Sequence, residues 1–242
     1  MNLIIDIGNT LVKIGAIKDN HIFEIHSHPE PEIPVLKDFH NKYPLLKGAI
    51  ISSVREIPIE FMDYLNRHFS TCVILNSLTP IPLENMYKTK ETLGCDRIAA
   101  CVGANALYPN TPLLVIDAGT AITFDMVDDD KYIGGTISPG LSMRFRALHA
   151  YTGKLPHLQK NENYHLIGSH TNDAIISGVQ NGIIFEIDGY ISHLRVKYPD
   201  LKVILTGGDA LFFDKKLKST IFVHPTILLT GLNRILDYNA KL

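Results

Sequence analysis

Leu3-Ile4-Ile5-Asp6-Ile7-Gly8-Asn9-Thr10-Leu11-Val12-Lys13-Ile14-Gly15 is the stretch on which the fold turns. A short apolar run rich in β-branched residues reads as a buried strand rather than a helix. It ends in an aspartate, passes through a polar turn and resumes as a second strand. Leu113-Leu114-Val115-Ile116-Asp117-Ala118-Gly119-Thr120-Ala121-Ile122-Thr123-Phe124 repeats the pattern about half a chain later. One Asp-x-Gly turn is often only a hairpin. Two of them, half a chain apart, suit the two ends of a polyphosphate. Asp6 and Asp117 stand at strand ends, where a carboxylate can hold a cation or its water. Gly8 and Gly119 remove the side chain where backbone must approach a ligand. Thr10 and Thr120 add hydroxyls, and the N–H groups of such turns can form an anion-binding concavity. Lys13 adds a positive charge, although strand alternation could point it at solvent. The expected arrangement is two halves that hold these turns facing each other across a cleft.

Outward from the first turn, Leu93-Gly94-Cys95-Asp96-Arg97-Ile98-Ala99-Ala100-Cys101-Val102-Gly103-Ala104 is small and apolar for most of its length. It reads as a buried helix starting near Asp96. On the residues alone, Asp96 is either a helix-start acid paired with Arg97 or part of a substrate site. In the second case the carboxylate can take the proton of an alcohol, and an arginine can grip a carboxylate by two parallel hydrogen bonds. Tyr87 supplies an aromatic just upstream. Lys202-Val203-Ile204-Leu205-Thr206-Gly207-Gly208 reads as a buried strand ending in a glycine pair. That end is either a plain strand-to-helix turn or a flat place for a ring or sugar.

Together, Asp6-Ile7-Gly8-Asn9-Thr10, Gly94-Cys95-Asp96-Arg97 and Asp117-Ala118-Gly119-Thr120 resemble the type III pantothenate kinase family. That family lies within the actin and hexokinase superfamily, and the resemblance runs from residue 3 to about residue 232. It implies an α/β fold of two duplicated ribonuclease H-like domains, the actin-like ATPase fold, with a cleft between them. The boundary is expected at Tyr108-Pro109-Asn110-Thr111-Pro112, giving domains 1–109 and 110–242. The implied activity is ATP-dependent phosphorylation of pantothenate to 4'-phosphopantothenate, the first step toward coenzyme A. By resemblance, Asp96 is the catalytic base, and Tyr87, Gly94, Cys95, Asp96, Arg97 and Thr171 meet pantothenate. Asp6, Gly8, Asn9, Thr10, Lys13 and Thr120 meet the phosphates of ATP, and Gly207 and Gly208 its nucleoside. Asp6 helps hold Mg²⁺, and Asp117 matches the ligand of a monovalent cation, K⁺ or NH₄⁺. The family's Ser-Ser-Val, which lines the cleft, matches Ser52-Ser53-Val54, and its Gly-Gly-x-Ile-x-Pro-Gly matches Gly134 to Gly140 at the mouth of the site. Lys90 stands where the family often has proline. The resemblance also implies a homodimer that completes the pantothenate pocket, for which Gly178 and Gly182 offer a smooth helix face. Two other readings compete, a non-catalytic nucleotide-binding regulator and a polyphosphate or nucleotide hydrolase. The intact Asp96 argues against the first, and the usual glutamate base of such hydrolases argues against the second.

Composition bounds these readings. A chain of 242 residues holds one large domain or two smaller ones, and the internal repeat favours two. Hydrophobic residues make up 45% and charged residues 20%, which is ordinary for a soluble globular protein. A net charge of −2 offers no nucleic-acid footprint. No apolar run approaches the ~20 residues of a membrane helix, and Asp6 comes too early for a signal peptide. Three cysteines (Cys72, Cys95 and Cys101) lack metal-ligand spacing and fit a reduced, cytoplasmic setting.

Local patterns give further expectations. Asp19-Asn20 reads as a turn, and His28 to Pro34, with three prolines, as a loop. Ile59, Met62, Leu65 and Phe69 have helical spacing for one buried face. Val73-Ile74-Leu75 reads as a buried strand, and Asp128-Asp129-Asp130 as a charged hairpin turn. Thr171 reads as the cap of a helix over 172–197, stopped by Pro199. Leu228 to Tyr238 reads as a final amphipathic helix. His26 and His28 are spaced for a metal but lack an acidic or cysteine partner.

Overall fold

The computed structural model describes residues 1–19 and 21–242, so Asn20 of the expected Asp19-Asn20 turn lies outside the described residues. Alternation of apolar residues builds the first sheet. β1 (Asn2–Ile7) pairs antiparallel with β2 (Val12–Lys18), and β2 pairs antiparallel with β3 (His21–His28). α1 (Ile33–Lys42), β4 (Gly48–Ser53), α2 (Ile59–His68) and β5 (Thr71–Ile74) follow. β4 lies parallel to β1 and β5 parallel to β4, so the order is β3-β2-β1-β4-β5. A short β6 (Glu84–Asn85) and one turn of 3₁₀ helix at Lys90–Thr92 lead into α3 (Cys95–Leu107).

The second half begins again with β7 (Leu113–Ala118), β8 (Ala121–Asp128) and β9 (Lys131–Pro139). Asp129 and Asp130, at φ of 50° and 56°, join β8 to β9. That is the left-handed geometry of a two-residue hairpin turn, which aspartate tolerates. α4 (Leu141–Ala150), α5 (Thr171–Lys197), β10 (Lys202–Thr206), α6 (Ala210–Asp214), β11 (Phe222–Val223) and α7 (Ile227–Asn239) complete the chain. β10 lies parallel to β7 and β11 parallel to β10. The order β9-β8-β7-β10-β11 therefore repeats β3-β2-β1-β4-β5 strand for strand. β6 adds in parallel beside the first residues of β9, with Glu84 opposite Lys131.

The chain divides into two compact units. One comprises 1–110 with 128–133 and 226–242, the other 111–127 with 134–225. α7 thus belongs with the first unit, although the sequence boundary expected at 109/110 assigned it to the second half. The cause is its packing on α3, where Gly103 and Gly231 let the two backbones meet. A Cβ on Gly231 would stand 1.7 Å from the Ala99 carbonyl oxygen.

Each unit has its own core. In the first, Leu3, Ile5, Ile7, Ile14 and Ile51 pack with Leu36, Phe39, Phe61 and Leu65. In the second, Leu114, Ile116, Phe124 and Leu205 pack with Phe145, Ile183, Ile187 and Phe213. Among the described residues, no helix is long and apolar enough to cross a membrane, and no group of three or more His, Cys, Asp or Glu could hold a metal.

Three local expectations need correction. The stretch read as a proline loop to Pro34 contains the start of α1, with Pro34 in its first turn. There the missing N–H costs nothing, because first-turn N–H groups have no helical partner. In α2 the buried face is Phe61 and Leu65, continued by Phe69, while Ile59 is 79% exposed. β5 is an edge strand, so Ile74 is 41% exposed and only Leu75, just beyond the strand, is buried.

Candidate active site

The first turn is closed by the Gly8 N–H donating to the Leu11 carbonyl at 3.0 Å. Gly8 sits half-buried there, and Asn9 and Thr10 are exposed at the tip. A side chain on Gly8 would press on the same carbonyl, 3.1 Å from its Cβ. Asp6, 8% exposed, lies between Lys13 on β2 and Ser52 on β4 in the pairing register. Directly paired residues share a face of the sheet. An ammonium, a carboxylate and a hydroxyl therefore form one row across three strands. Strand alternation does not send Lys13 to open solvent; it is half-buried in this row. The row below on the same face is apolar, with Ile4 beside Ile50, both fully buried. Ser52 is fully buried, and its Oγ has no hydrogen-bond partner. A carboxylate beside a hydroxyl that needs a partner is a hard oxygen donor set. It fits a hydrated divalent cation such as Mg²⁺.

The second turn is closed more tightly, by the Gly119 N–H donating to the Ala121 carbonyl at 3.0 Å. Gly140 buttresses it and donates its N–H to the Thr120 carbonyl at 3.1 Å. A Cβ on Gly140 would lie 2.2 Å from the Gly119 carbonyl oxygen. Asp117 is flanked in register by Thr123 and Thr206, so here too a carboxylate sits in a row of oxygen donors that fits a cation. Gly207 closes over it with φ of +97°, and a Cβ there would meet Asp117 Oδ1 at 2.4 Å. Gly208 is exposed beyond it. The Asp209 N–H donates to the Ala118 carbonyl at 2.9 Å and ties the glycine pair to the end of β7.

The third cluster lies in the first unit, at the start of α3. Gly94 is the N-cap, and the Arg97 N–H donates to Asp96 Oδ1 at 2.8 Å. The carboxylate is thus drawn back over the positive end of the helix. It lies so close to Gly94 that a Cβ there would be 2.4 Å from Oδ1. Arg97 is only 7% exposed, and its guanidinium carbon lies 5.8 Å from the centroid of the Tyr87 ring. Tyr87 in turn leans toward the buried Tyr132 at 6.0 Å. Cys95 points its Sγ toward the Leu75 carbonyl at 3.4 Å and lines a cavity of about 260 Å³ with Leu75, Pro80, Leu83 and Lys90. Burial, and then the Asp96 charge, push its thiol pKa up, so it is not a poised thiolate.

Thr171 is the exposed first residue of α5, not its cap. His170 occupies the cap position with extended backbone, and no side chain caps the helix. The His170 ring instead pairs with Asp173 at 3.2 Å. Gly178 is exposed, and a Cβ there would meet nothing.

The model of the family described as type III pantothenate kinase matches residues 2–193. The chain belongs to the type III pantothenate kinase family. It is 46% identical over 243 residues to a type III pantothenate kinase of Phocaeicola vulgatus, covering 100% of both chains. It is 45% identical over 240 residues to one of Bacteroides fragilis, covering 99% of this chain and 98% of the other. Among solved structures, a Campylobacter jejuni protein named for the Baf family of transcriptional activators has a TM-score of 0.62 at 23% identity, covering 99% of this chain and 100% of its own. An inorganic polyphosphate/ATP-glucomannokinase from Arthrobacter has a TM-score of 0.52 at 15% identity, covering 99% and 100%. These structural likenesses show the actin-like, ribonuclease H-like fold that the repeated strand order also displays.

The segment matched by the family model includes both Asp-Gly-Thr turns and the Gly94 to Arg97 motif. Thr206 and Tyr132 were not assigned to the site from sequence, and Ser52 and Gly140 entered only through the resemblance, with no role given to either. Ser52 carried a signal, since it follows buried Ile50 by two residues, as Asp6 follows Ile4. Gly140 carried a weaker one in its Pro-Gly pair, and Tyr132 none.

Proposed function

We infer that the protein transfers the γ-phosphoryl group of ATP to the primary hydroxyl of pantothenate, giving 4'-phosphopantothenate and ADP on the way to coenzyme A. The observation that carries this reading is family membership together with an intact Gly94-Cys95-Asp96-Arg97 motif, whose carboxylate sits at a helix start beside a buried arginine. Phosphoryl transfer needs little covalent help from a protein and much positioning. In the proposed mechanism the hydroxyl oxygen of pantothenate bonds to the γ-phosphorus, and the bond from that phosphorus to the ADP oxygen breaks. Asp96 orients the hydroxyl and takes its proton late in the transfer. Arg97 grips the pantothenate carboxylate, and Tyr87 packs beside it. Gly94 and Cys95 contribute backbone, and Thr171 contributes its exposed hydroxyl. The backbone at Gly8, with Asn9, Thr10, Lys13 and Thr120, holds the phosphates, while Gly207 and Gly208 receive the nucleoside. Asp6 would hold Mg²⁺, which when bound neutralises charge on the phosphate oxygens. Asp117 would hold a monovalent cation, K⁺ or NH₄⁺. The enzyme is proposed to act as a cytoplasmic homodimer, with no nucleic-acid or membrane partner.

The test is ADP release with and without pantothenate, in potassium and in sodium-only buffer, with Asp96→Asn alongside. Turnover that needs pantothenate and potassium, and collapses in Asp96→Asn, is the expected result. Turnover that ignores pantothenate and survives Asp96→Asn would make the protein a hydrolase. ATP binding without any turnover would make it a regulator.

A further inference from the structure

Ser52 stands out because nothing in the fold uses it. It is 0% exposed, and its Oγ lacks a hydrogen-bond partner. A buried hydroxyl left unpaired loses its hydration without recompense and destabilises the fold. Alanine would avoid that cost, would fit the same space and would suit the apolar row beneath it. Ser53, the next residue, is not comparable. It lies on the opposite face, accepts the Arg55 N–H at 3.0 Å and donates to the Arg55 carbonyl at 2.6 Å. Ser53 is a turn-forming serine, and Ser52 is not.

Its position says what it could serve. Ser52 is the direct parallel partner of Asp6, with Lys13 on the other side of that carboxylate. Ile4 and Ile50 make the row below apolar, so the polar neighbour that the register gives this hydroxyl is Asp6. Mg²⁺ keeps most of its water shell when a protein carboxylate binds it, and those waters are strong donors that must be received. A serine oxygen beside the ligand carboxylate is a receiver already dehydrated, which a small shift of the strand ends on cation binding would open to that shell.

We propose that Ser52 is a positioning residue for the divalent cation carried by Asp6, accepting a hydrogen bond from a water of its coordination shell. This rests on the kinase reading for the identity of the metal. It adds a residue of β4, one strand away from the phosphate turn, to the cation's outer shell. The hydroxyl's cost to the unliganded protein is then offset only when the cation is bound.

The experiment compares wild type with Ser52→Ala and with Ser53→Ala as the control on the opposite face. Binding of Mn²⁺, as a paramagnetic stand-in for Mg²⁺, is followed with a non-hydrolysable ATP analogue present. The melting temperature is measured in EDTA and in saturating Mg²⁺. Ser52→Ala is expected to weaken cation binding about tenfold, to melt no lower than wild type in EDTA, and to gain less from Mg²⁺. In turnover, the concentration of Mg²⁺ for half-maximal rate should rise while kcat at saturating Mg²⁺ falls little. Ser53→Ala should leave cation affinity unchanged. Cation affinity within twofold of wild type in Ser52→Ala, or a melting temperature that falls equally with and without Mg²⁺, would overturn the proposal and leave Ser52 a packing residue. The binding arm needs no pantothenate, so failure of the kinase reading would show separately, as wild-type ADP release that ignores pantothenate.

Discussion

A methyl group at Gly94 would stand 2.4 Å from Asp96 Oδ1, and at Gly207 one would stand 2.4 Å from Asp117 Oδ1. The two positions nonetheless differ in what must move. At Gly94 the backbone φ is −57°, which any residue adopts, and the obstacle is the end of a mobile side chain. Gly94→Ala should therefore fold with nearly the wild-type melting temperature but with the Asp96 carboxylate pushed off its place. A misplacement of about 1 Å can cost roughly 100-fold in rate, so pantothenate-dependent kcat should fall by about that much while thermal melting barely changes. At Gly207 the φ is +97° and the Ala118 carbonyl oxygen also lies 2.5 Å from the added atom. Backbone cannot swing aside, so Gly207→Ala should lose about 2 kcal/mol or more in urea unfolding. The sequence made both glycines legible as site residues through their motifs. It did not show that one is needed for space beside a carboxylate and the other for backbone conformation.

At the scale of elements, the contact between α3 and α7 is the tightest in the first unit. Gly231→Ala would drive a Cβ to 1.7 Å from the Ala99 carbonyl oxygen and 2.8 Å from the Gly103 nitrogen. Both helices must separate, and such overpacking should cost about 3 kcal/mol by chemical denaturation. A second element-scale effect ties β3 to α1. Glu24 accepts hydrogen bonds from Lys42, from Tyr43 and from the ring of His26, which thus has an acidic partner that its spacing did not lead one to expect, and these bonds hold the Glu24 pKa down at about 2. A depressed folded pKa means the stabilisation is full above the ordinary carboxylate range, near 4.5, and is lost as pH falls toward 2. Melting temperature against pH should therefore drop more steeply below pH 4.5 in wild type than in Glu24→Gln, and the two curves should run parallel above it. The elements were largely legible because strand runs and the long α5 carry strong periodic patterns. Faces and ends were less so. Phe61 displaced Ile59 from the core because its stripe continues through Leu65 to Phe69 at four-residue steps. Pro34 hid the start of α1 because a helix's first turn tolerates the residue that forbids its middle.

For the whole molecule, the duplication visible in two Asp-Gly-Thr turns extends to complete sheets, β3-β2-β1-β4-β5 and β9-β8-β7-β10-β11. It also reaches the polar row around each aspartate, Lys13-Asp6-Ser52 in one and Thr123-Asp117-Thr206 in the other. Those rows could not be read from sequence, because register between distant strands is a tertiary property. The same holds for the last helix, whose sequence position lies in the second half but whose packing lies in the first unit. Leu229 and Leu236 of α7 are both buried, and they lie over Gly15 and Gly48, where the absent side chains admit them to the sheet. Asn2 donates to Asn233 and to Asp237, each at 2.8 Å, joining the first strand to the last helix across 231 and 235 residues. The first unit therefore cannot cover its second sheet face until the final residues of the chain are in place. A fragment of residues 1–110 should expose Ile4, Ile17 and Ile50 and bind a hydrophobic dye. It should show no cooperative thermal transition by circular dichroism, whereas the full chain should melt cooperatively. Adding a peptide of residues 226–242 should restore part of that transition, because it supplies the missing face. A sharp, reversible melt of the fragment alone would mean that α1, α2 and the five-stranded sheet are sufficient, and that α7 only decorates a unit already folded.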